Sequence, residues 1–208
     1  DSAAAIVDDN KIICAAEEER FTRIKHDSSF PSNAIEFCLE KANIKANELN
    51  YVAFYEDPKL KFDRVAMGLI KQAFSRKFSS TKNILLDWAT IKSDISGIIS
   101  KKIEVNEEKI LFFKHHESHR SSAFNASGFE NSAIMTLDGV GEWDTASFGE
   151  IKDGGDYTEF ANNKFPHSLG LLYSCFAEFL GFEVNEGEFK VMGMAAYGKP
   201  KYKNEIKK

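Results

Sequence analysis

The 208-residue sequence predicts an α/β fold, because short apolar strand-like runs alternate along it with segments of helical periodicity. Three stretches carry this reading. Residues 3–7 and 11–16 flank Asp8-Asp9-Asn10, a hairpin signal made of turn-favouring residues. Ile35, Cys38, Leu39 and Ala42 recur at spacings of three and four, which gives a helix starting near Pro31, after Ser29 or Phe30, one apolar face. Ile110-Leu111-Phe112-Phe113 reads as a short strand that runs directly into His115-His116-Glu117-Ser118-His119.

The remaining elements follow the same logic. Residues 17–27 are too charged for a buried strand and too short for a full helix, and Tyr51–Tyr55 reads as a strand. Between about 57 and 105 the pattern becomes helical. Val65, Leu69 and Ala73, then Ile84, Leu85, Trp88, Ile91, Ile95, Ile98 and Ile99, keep helical spacing on either side of Ser79-Ser80-Thr81, as a helical insertion on the α/β frame would. Strands over 132–137 and 145–151 flank Asp138 and form a hairpin if the loop is tight. A helix is expected from Ser168 to Leu180, and a short glycine-bracketed one between Gly187 and Gly198.

Composition excludes several classes of function. Hydrophobic residues at 43% and charged residues at 28% are ordinary for a soluble globular chain. A net charge of −5 argues against a nucleic-acid partner. The lysines at 199, 201, 203, 207 and 208 read as a solvated or disordered tail. No apolar run approaches the roughly 18 residues that span a bilayer, and no secretory signal opens the chain, so a membrane partner is not expected. Cys14, Cys38 and Cys175 are odd in number and far apart, which argues against disulfides and cysteine metal clusters. Buried reduced thiols in a cytoplasmic protein are the expectation. The absence of an initial methionine and the lysine-rich end suggest a piece of a longer protein.

The chemistry concentrates in two strings. His115 and His119 are one helical turn apart, so both rings point the same way and can grip one divalent ion. Asp138 follows a second strand, Ala133–Leu137, and opens Asp138-Gly139-Val140-Gly141-Glu142. Two imidazoles and one carboxylate with open positions suit ferrous iron or zinc held for substrate chemistry. His116 competes as a ligand, and the His-x-x-x-His pair alone is as compatible with a helix surface. The Asp138 string reads either as a tight hairpin turn or as a phosphate-handling loop whose amides meet phosphoryl oxygens, with Thr145 as a hydroxyl donor. Arg20 and Lys25 form a solvated face or neutralise an anion. Gly187, Gly193 and Gly198, with Lys190 between, suggest close packing or anion contact. His26 and His167 read as structural.

Taken in order, these strings resemble the amino-terminal part of the O-carbamoyltransferase family, which includes the nodulation-factor and tobramycin carbamoyltransferases. Those that match are 1–5, 17–26, His115-His116-x-x-His119, 138–142, Ser168-Leu169-Gly170 and 190–198. The resemblance covers nearly the whole chain apart from the helical stretch. It implies an actin-like/Hsp70-like ATPase fold with a ribonuclease H-like lobe. It also implies transfer of a carbamoyl group from carbamoyl-adenylate, made from carbamoyl phosphate and ATP, to the hydroxyl of a small acceptor such as a sugar or an antibiotic-like alcohol. The family's iron(II) ligands fall on His115, His119 and Asp138. Lys25 matches a lysine of the carbamoyl-adenylate pocket, while Gly141 and Glu142 match the nucleotide-side loop. Gly139, Lys190 and Gly193 are the further residues expected beside ATP.

Two features of the family pattern are missing: a histidine directly before Asp1, and a later aspartate ligand. The second lobe and the domain that makes carbamoyl-adenylate also lie outside these 208 residues. A partial site with little activity of its own is therefore expected. Two other readings stand beside the transferase: a nucleotide-binding scaffold of the same fold, and a threonylcarbamoyl-transferring protein of transfer-RNA modification, against which the acidic balance weighs.

Overall fold

A computed structural model of the chain describes residues 1–9, 11–74 and 94–206. In chain order they form β1 (Ala3–Asp8), β2 (Lys11–Glu17), α1 (Glu19–Thr22), α2 (Ser32–Ala42), β3 (Val52–Phe54), α3 (Pro58–Phe74), α4 (Ile95–Ile103) and β4 (Ile110–Phe112). There follow α5 (His115–Ser127), β5 (Ser132–Leu137), β6 (Asp144–Ile151), β7 (Thr158–Lys164), α6 (Leu169–Phe179), α7 (Glu188–Ala195) and α8 (Lys203–Ile206). The fold is mixed α/β, built on three small sheets. The chain divides into two compact units, the first holding the described residues of 1–54 and 94–112, the second 55–74 and 113–206.

In the first unit β1 and β2 form the expected antiparallel hairpin. Helix α2 lies against it, with the Cys38 thiol donating to the Ala4 carbonyl and the Cys14 thiol to the Cys38 carbonyl. Burial pushes the Cys38 thiol up to about 11, which keeps it protonated and inert. Pro31 takes the cap position rather than the first turn, and no side chain at the cap closes the helix. That role falls to Glu18, 2% exposed, whose carboxylate accepts from the Ala34 amide (2.9 Å), the Asn33 amide (3.2 Å) and the Asn33 side chain (2.6 Å). The charged 17–27 stretch thus hides a buried carboxylate that satisfies orphan amides of α2. Strands β3 and β4 pair in parallel, Val52 opposite Ile110. Ile99, Val105 and Ile110 form the core there, with Phe30, Leu49, Phe54 and Ile103 packed around them.

In the second unit β5, β6 and β7 make an antiparallel sheet in that order. The hairpin expected around Asp138 is present: Asp138 donates to the Thr145 carbonyl (3.0 Å) and Gly141 to that of Asp144 (2.9 Å). Strand β7 has no counterpart in the sequence reading. Its Thr-Glu-Phe-Ala-Asn-Asn-Lys run lacks apolar alternation, and β6 recruits it as an exposed edge through backbone pairing.

The described part of the 57–105 stretch is largely helical: α3 belongs to the second unit, and α4 buries Ile99 in the core of the first. The expected helical positions from Ile84 to Ile91, the Ser79-Ser80-Thr81 break, and the side chains of Leu69 and Ala73 lie outside the described residues. Cys175 is exposed rather than buried, because α6 turns that face to solvent. The described part of the lysine-rich end is exposed throughout, as a solvated tail would be, and includes the single helical turn α8. No described helix is long and apolar enough to cross a membrane.

Candidate metal centre

The second unit brings His115, His119 and Asp138 together. The first two stand on successive turns of α5 because helical Cβ atoms four apart share a face. Asp138 stands at the end of β5, where the hairpin turn begins. The Nε2 atoms of the two histidines are 3.0 Å apart. Asp138 Oδ2 lies 2.5 Å from His115 Nε2 and 3.6 Å from His119 Nε2. One ligand atom from each of the three thus falls within 4.8 Å of the other two.

These spacings suit a shared cation. Metal–ligand bonds of about 2.0–2.2 Å put neighbouring donor atoms roughly 3–3.5 Å apart. Only the His115–Asp138 pair is tighter, as a direct hydrogen bond must be, and it would open slightly around an ion. The hydrogen bond that His115 donates to the Asp138 carboxylate holds the imidazole pKa above its usual range, against the effect of burial. The same bond, with the Gly139 amide, holds the Asp138 carboxyl well below the carboxylate range. A carboxylate and an imidazole so matched are prepared for positive charge between them. His119 is more open, its side chain 49% exposed, so the cluster faces solvent on that side.

His116, the competing ligand by sequence, points inward. It is 3% exposed, its Nε2–H donates to the Asp144 carbonyl (2.8 Å), and its Nδ1 lies 2.6 Å from Thr136 Oγ1. Thr136 in turn shares a hydrogen bond with Ser147 at 2.6 Å. Both imidazole nitrogens are consumed, so His116 anchors α5 to the sheet and leaves the outward face to its neighbours.

The turn is held from two sides. The Ser168 hydroxyl donates to the Gly139 carbonyl (2.6 Å) and accepts from the Leu171 amide (3.0 Å), capping α6 while gripping the Asp138 turn. A Cβ at Gly170 would fall 2.6 Å from the Asp138 carbonyl oxygen, so only glycine allows α6 to approach this closely. Ser168 and Gly170 match a family string whose part at this turn shows only in the tertiary contact. A serine three residues before a leucine amide was the available signal for the cap.

The other expected site residues are placed as follows. The Gly139 amide donates to Asp138 Oδ1 (2.7 Å) and the Gly141 amide to the Asp144 carbonyl, so two amides of the loop expected to meet phosphoryl oxygens are engaged within the turn. Thr145 is likewise committed, its hydroxyl donating to the His167 carbonyl (2.5 Å). Glu142 is buried, and its carboxylate accepts from backbone amides of His115 and Asp57. Lys190 is exposed on α7, its ammonium 5.7 Å from the Phe189 ring centroid. Gly193 is open, with nothing within 4 Å of a Cβ built there. Lys25 belongs to the first unit, exposed in a turn and without an ion pair among the described residues. His26 Nδ1 lies 2.9 Å from Asp1 Oδ1.

Fold and geometry define a class: an α/β protein that presents two imidazoles and a carboxylate, able to hold a divalent cation, where β5 meets α5. The particular family is set by comparison. The chain belongs to the family described as carbamoyltransferase N-terminus, whose model matches residues 1–208. Among curated proteins it is 43% identical to the uncharacterized protein sll1178 of Synechocystis sp., over 97% of this chain and 34% of that protein. It is 35% identical to the nodulation protein NolNO of Sinorhizobium fredii, over 96% of the chain and 28% of NolNO. With the uncharacterized protein MJ1051 of Methanocaldococcus jannaschii the identity is 27%, over 94% and 31%. The chain therefore spans about a third of the length of these relatives.

Proposed function

We propose that these residues form the first lobe of an ATP-dependent O-carbamoyltransferase with an actin-like/Hsp70-like ATPase fold. It would act in the cytoplasm on a small-molecule hydroxyl acceptor, a sugar or an antibiotic-like alcohol. Membership of the carbamoyltransferase N-terminus family supports the transferase class. The observation that carries the mechanistic part is the convergence of His115, His119 and Asp138 on one point.

A carbamoyl carbonyl is a poor electrophile because its nitrogen donates electrons into it. Carbamoyl-adenylate solves this by giving the carbonyl carbon a good leaving group. The acceptor hydroxyl then forms a new C–O bond, the bond to the adenylate phosphate breaks, and the hydroxyl proton is released. His115, His119 and Asp138 are the residues that would hold iron(II) or another divalent ion, whose chemistry there is to stabilise negative charge on carbonyl or phosphate oxygens. The donor set of nitrogen and oxygen without thiolate agrees with such an ion.

Lys25 would contribute a fixed positive charge to the oxygens of the carbamoyl-adenylate. Gly139, Gly141 and Glu142, with Lys190 and Gly193, are proposed for the nucleotide side. The engaged amides and the buried carboxylate of the hairpin would shape that side through the turn's conformation. Lys190 and Gly193, both exposed on α7, are open to direct contact.

The test is to incubate the full-length protein, supplied with iron(II), with ATP, carbamoyl phosphate and a panel of sugars and other alcohols. Pyrophosphate release together with a carbamoylated product supports the proposal. A well-folded, metal-loaded protein that yields neither across a broad panel would point to a scaffold.

A further inference from the structure

Glu142 is a charged side chain placed where water does not reach it. It is 5% exposed, and its oxygens are spent on the backbone of two separate segments. Oε1 accepts from the Asp57 amide at 2.7 Å and from the His115 amide at 2.9 Å, and Oε2 lies 3.2 Å from the latter. His115 is the first residue of α5, and its preceding residue, Lys114, supplies no side-chain cap. Asp57 stands just before α3, and its own carboxylate caps that helix through the Lys59 and Leu60 amides. One buried carboxylate thus sits at the start of two helices, where their exposed amides and dipoles favour negative charge.

The location matters for the histidines. Glu142 lies in the same hairpin turn as Asp138, so its bond to the His115 amide ties the element carrying the carboxylate ligand to the helix carrying both imidazoles. Its bond to Asp57 holds the segment that includes Tyr55. That ring meets the His115 ring edge-on, with centroids 5.9 Å apart and planes at 62°. The Tyr55 carbonyl in turn accepts from the Ser118 hydroxyl on α5 at 3.0 Å. His115 is therefore fixed along its backbone by Glu142 and along its ring by Tyr55, which Glu142 also secures.

We infer that Glu142 is a positioning residue for the His115–His119–Asp138 cluster, setting the separation of the two imidazoles from Asp138 without touching the ion or the substrate. The inference rests on the metal reading proposed above. It predicts that Glu142 tunes affinity and ligand field, as groups just beyond metal ligands do, by about 10- to 100-fold in affinity. A carboxylate that merely capped helices would change stability alone.

The experiment uses the full-length protein, titrated with Co²⁺ under anaerobic conditions and followed by visible d–d absorption and calorimetry. Glu142→Ala is expected to weaken Co²⁺ binding about 100-fold and Glu142→Gln, which keeps one acceptor oxygen, about 10-fold. Both should shift the d–d bands. Wild-type affinity and bands in these variants, whatever their melting temperature, would overturn the inference, and if Glu142→Ala does not fold, Glu142→Gln decides alone. His115→Ala serves as the control. If it binds Co²⁺ like the wild type, the metal reading itself fails; if it loses Co²⁺ while Glu142→Gln is unaffected, only the positioning role fails.

Discussion

The Nε2 atoms of His115 and His119 stand 3.0 Å apart, one helical turn separating their residues, while Asp138 Oδ2 reaches the first at 2.5 Å. Two neighbouring nitrogens that close, beside a carboxylate, form a compact donor set that protons can fill only in part. A divalent cation would satisfy all three at once.

Replacing any one of the three with alanine should therefore weaken binding of a divalent ion by more than about 100-fold, beyond the effect typical of groups outside the ligand set. Calorimetric titration of each variant with Co²⁺ measures this. Full retention of affinity in His119→Ala would remove that residue from the centre.

The His115–Asp138 pair also sets a pH dependence for the metal-free protein. Hydrogen bonding raises His115 above 6.5 and lowers Asp138 below 3.8. The stabilisation from a raised histidine is complete below its unfolded value and fades as pH climbs through the folded one. That from a lowered aspartate is complete above its unfolded value and fades as pH falls through the folded one. Both are fully present between 3.8 and 6.5. The melting temperature of Asp138→Asn should thus fall furthest below wild type in that window, and the gap should narrow in alkali.

His116 should behave in the opposite way to its neighbours. His116→Leu removes one buried hydrogen bond from Thr136, which keeps Ser147, and one from the Asp144 carbonyl, which keeps Gly141, at a cost of about 1–3 kcal/mol for the two. Urea denaturation should show that loss, while metal stoichiometry stays unchanged. A lost equivalent of metal would reassign His116 as a ligand.

Lys25 is exposed and without an ion pair among the described residues, so Lys25→Met should leave the circular dichroism spectrum and melting temperature as they are. Loss of a positive charge at a developing oxyanion lowers turnover by about 100-fold or more. A steady-state assay of carbamoyl transfer by the full-length protein measures it. Undiminished turnover would place Lys25 outside the pocket.

Much of this was legible along the chain. The α/β class, the β1–β2 and β5–β6 hairpins, and the helices at α2, α5, α6 and α7 follow from local periodicity and turn residues, which act over a few positions. The pairing of His115 with His119 follows from helix geometry alone. What local pattern did not reveal depends on partners distant in sequence. Strand β7 exists because β6 offers an edge, and Glu18 looks like one more surface charge until it caps α2.

Which residues face one another within an element follows from the chain alone, because the repeat of a helix or strand fixes that spacing. That Asp138 meets His115 across 23 residues, that His116 turns inward and that Glu142 joins two helix starts depend on the assembled fold. Those outcomes come from burying polar groups with satisfied partners, and a polar group's partner depends on what the fold brings beside it.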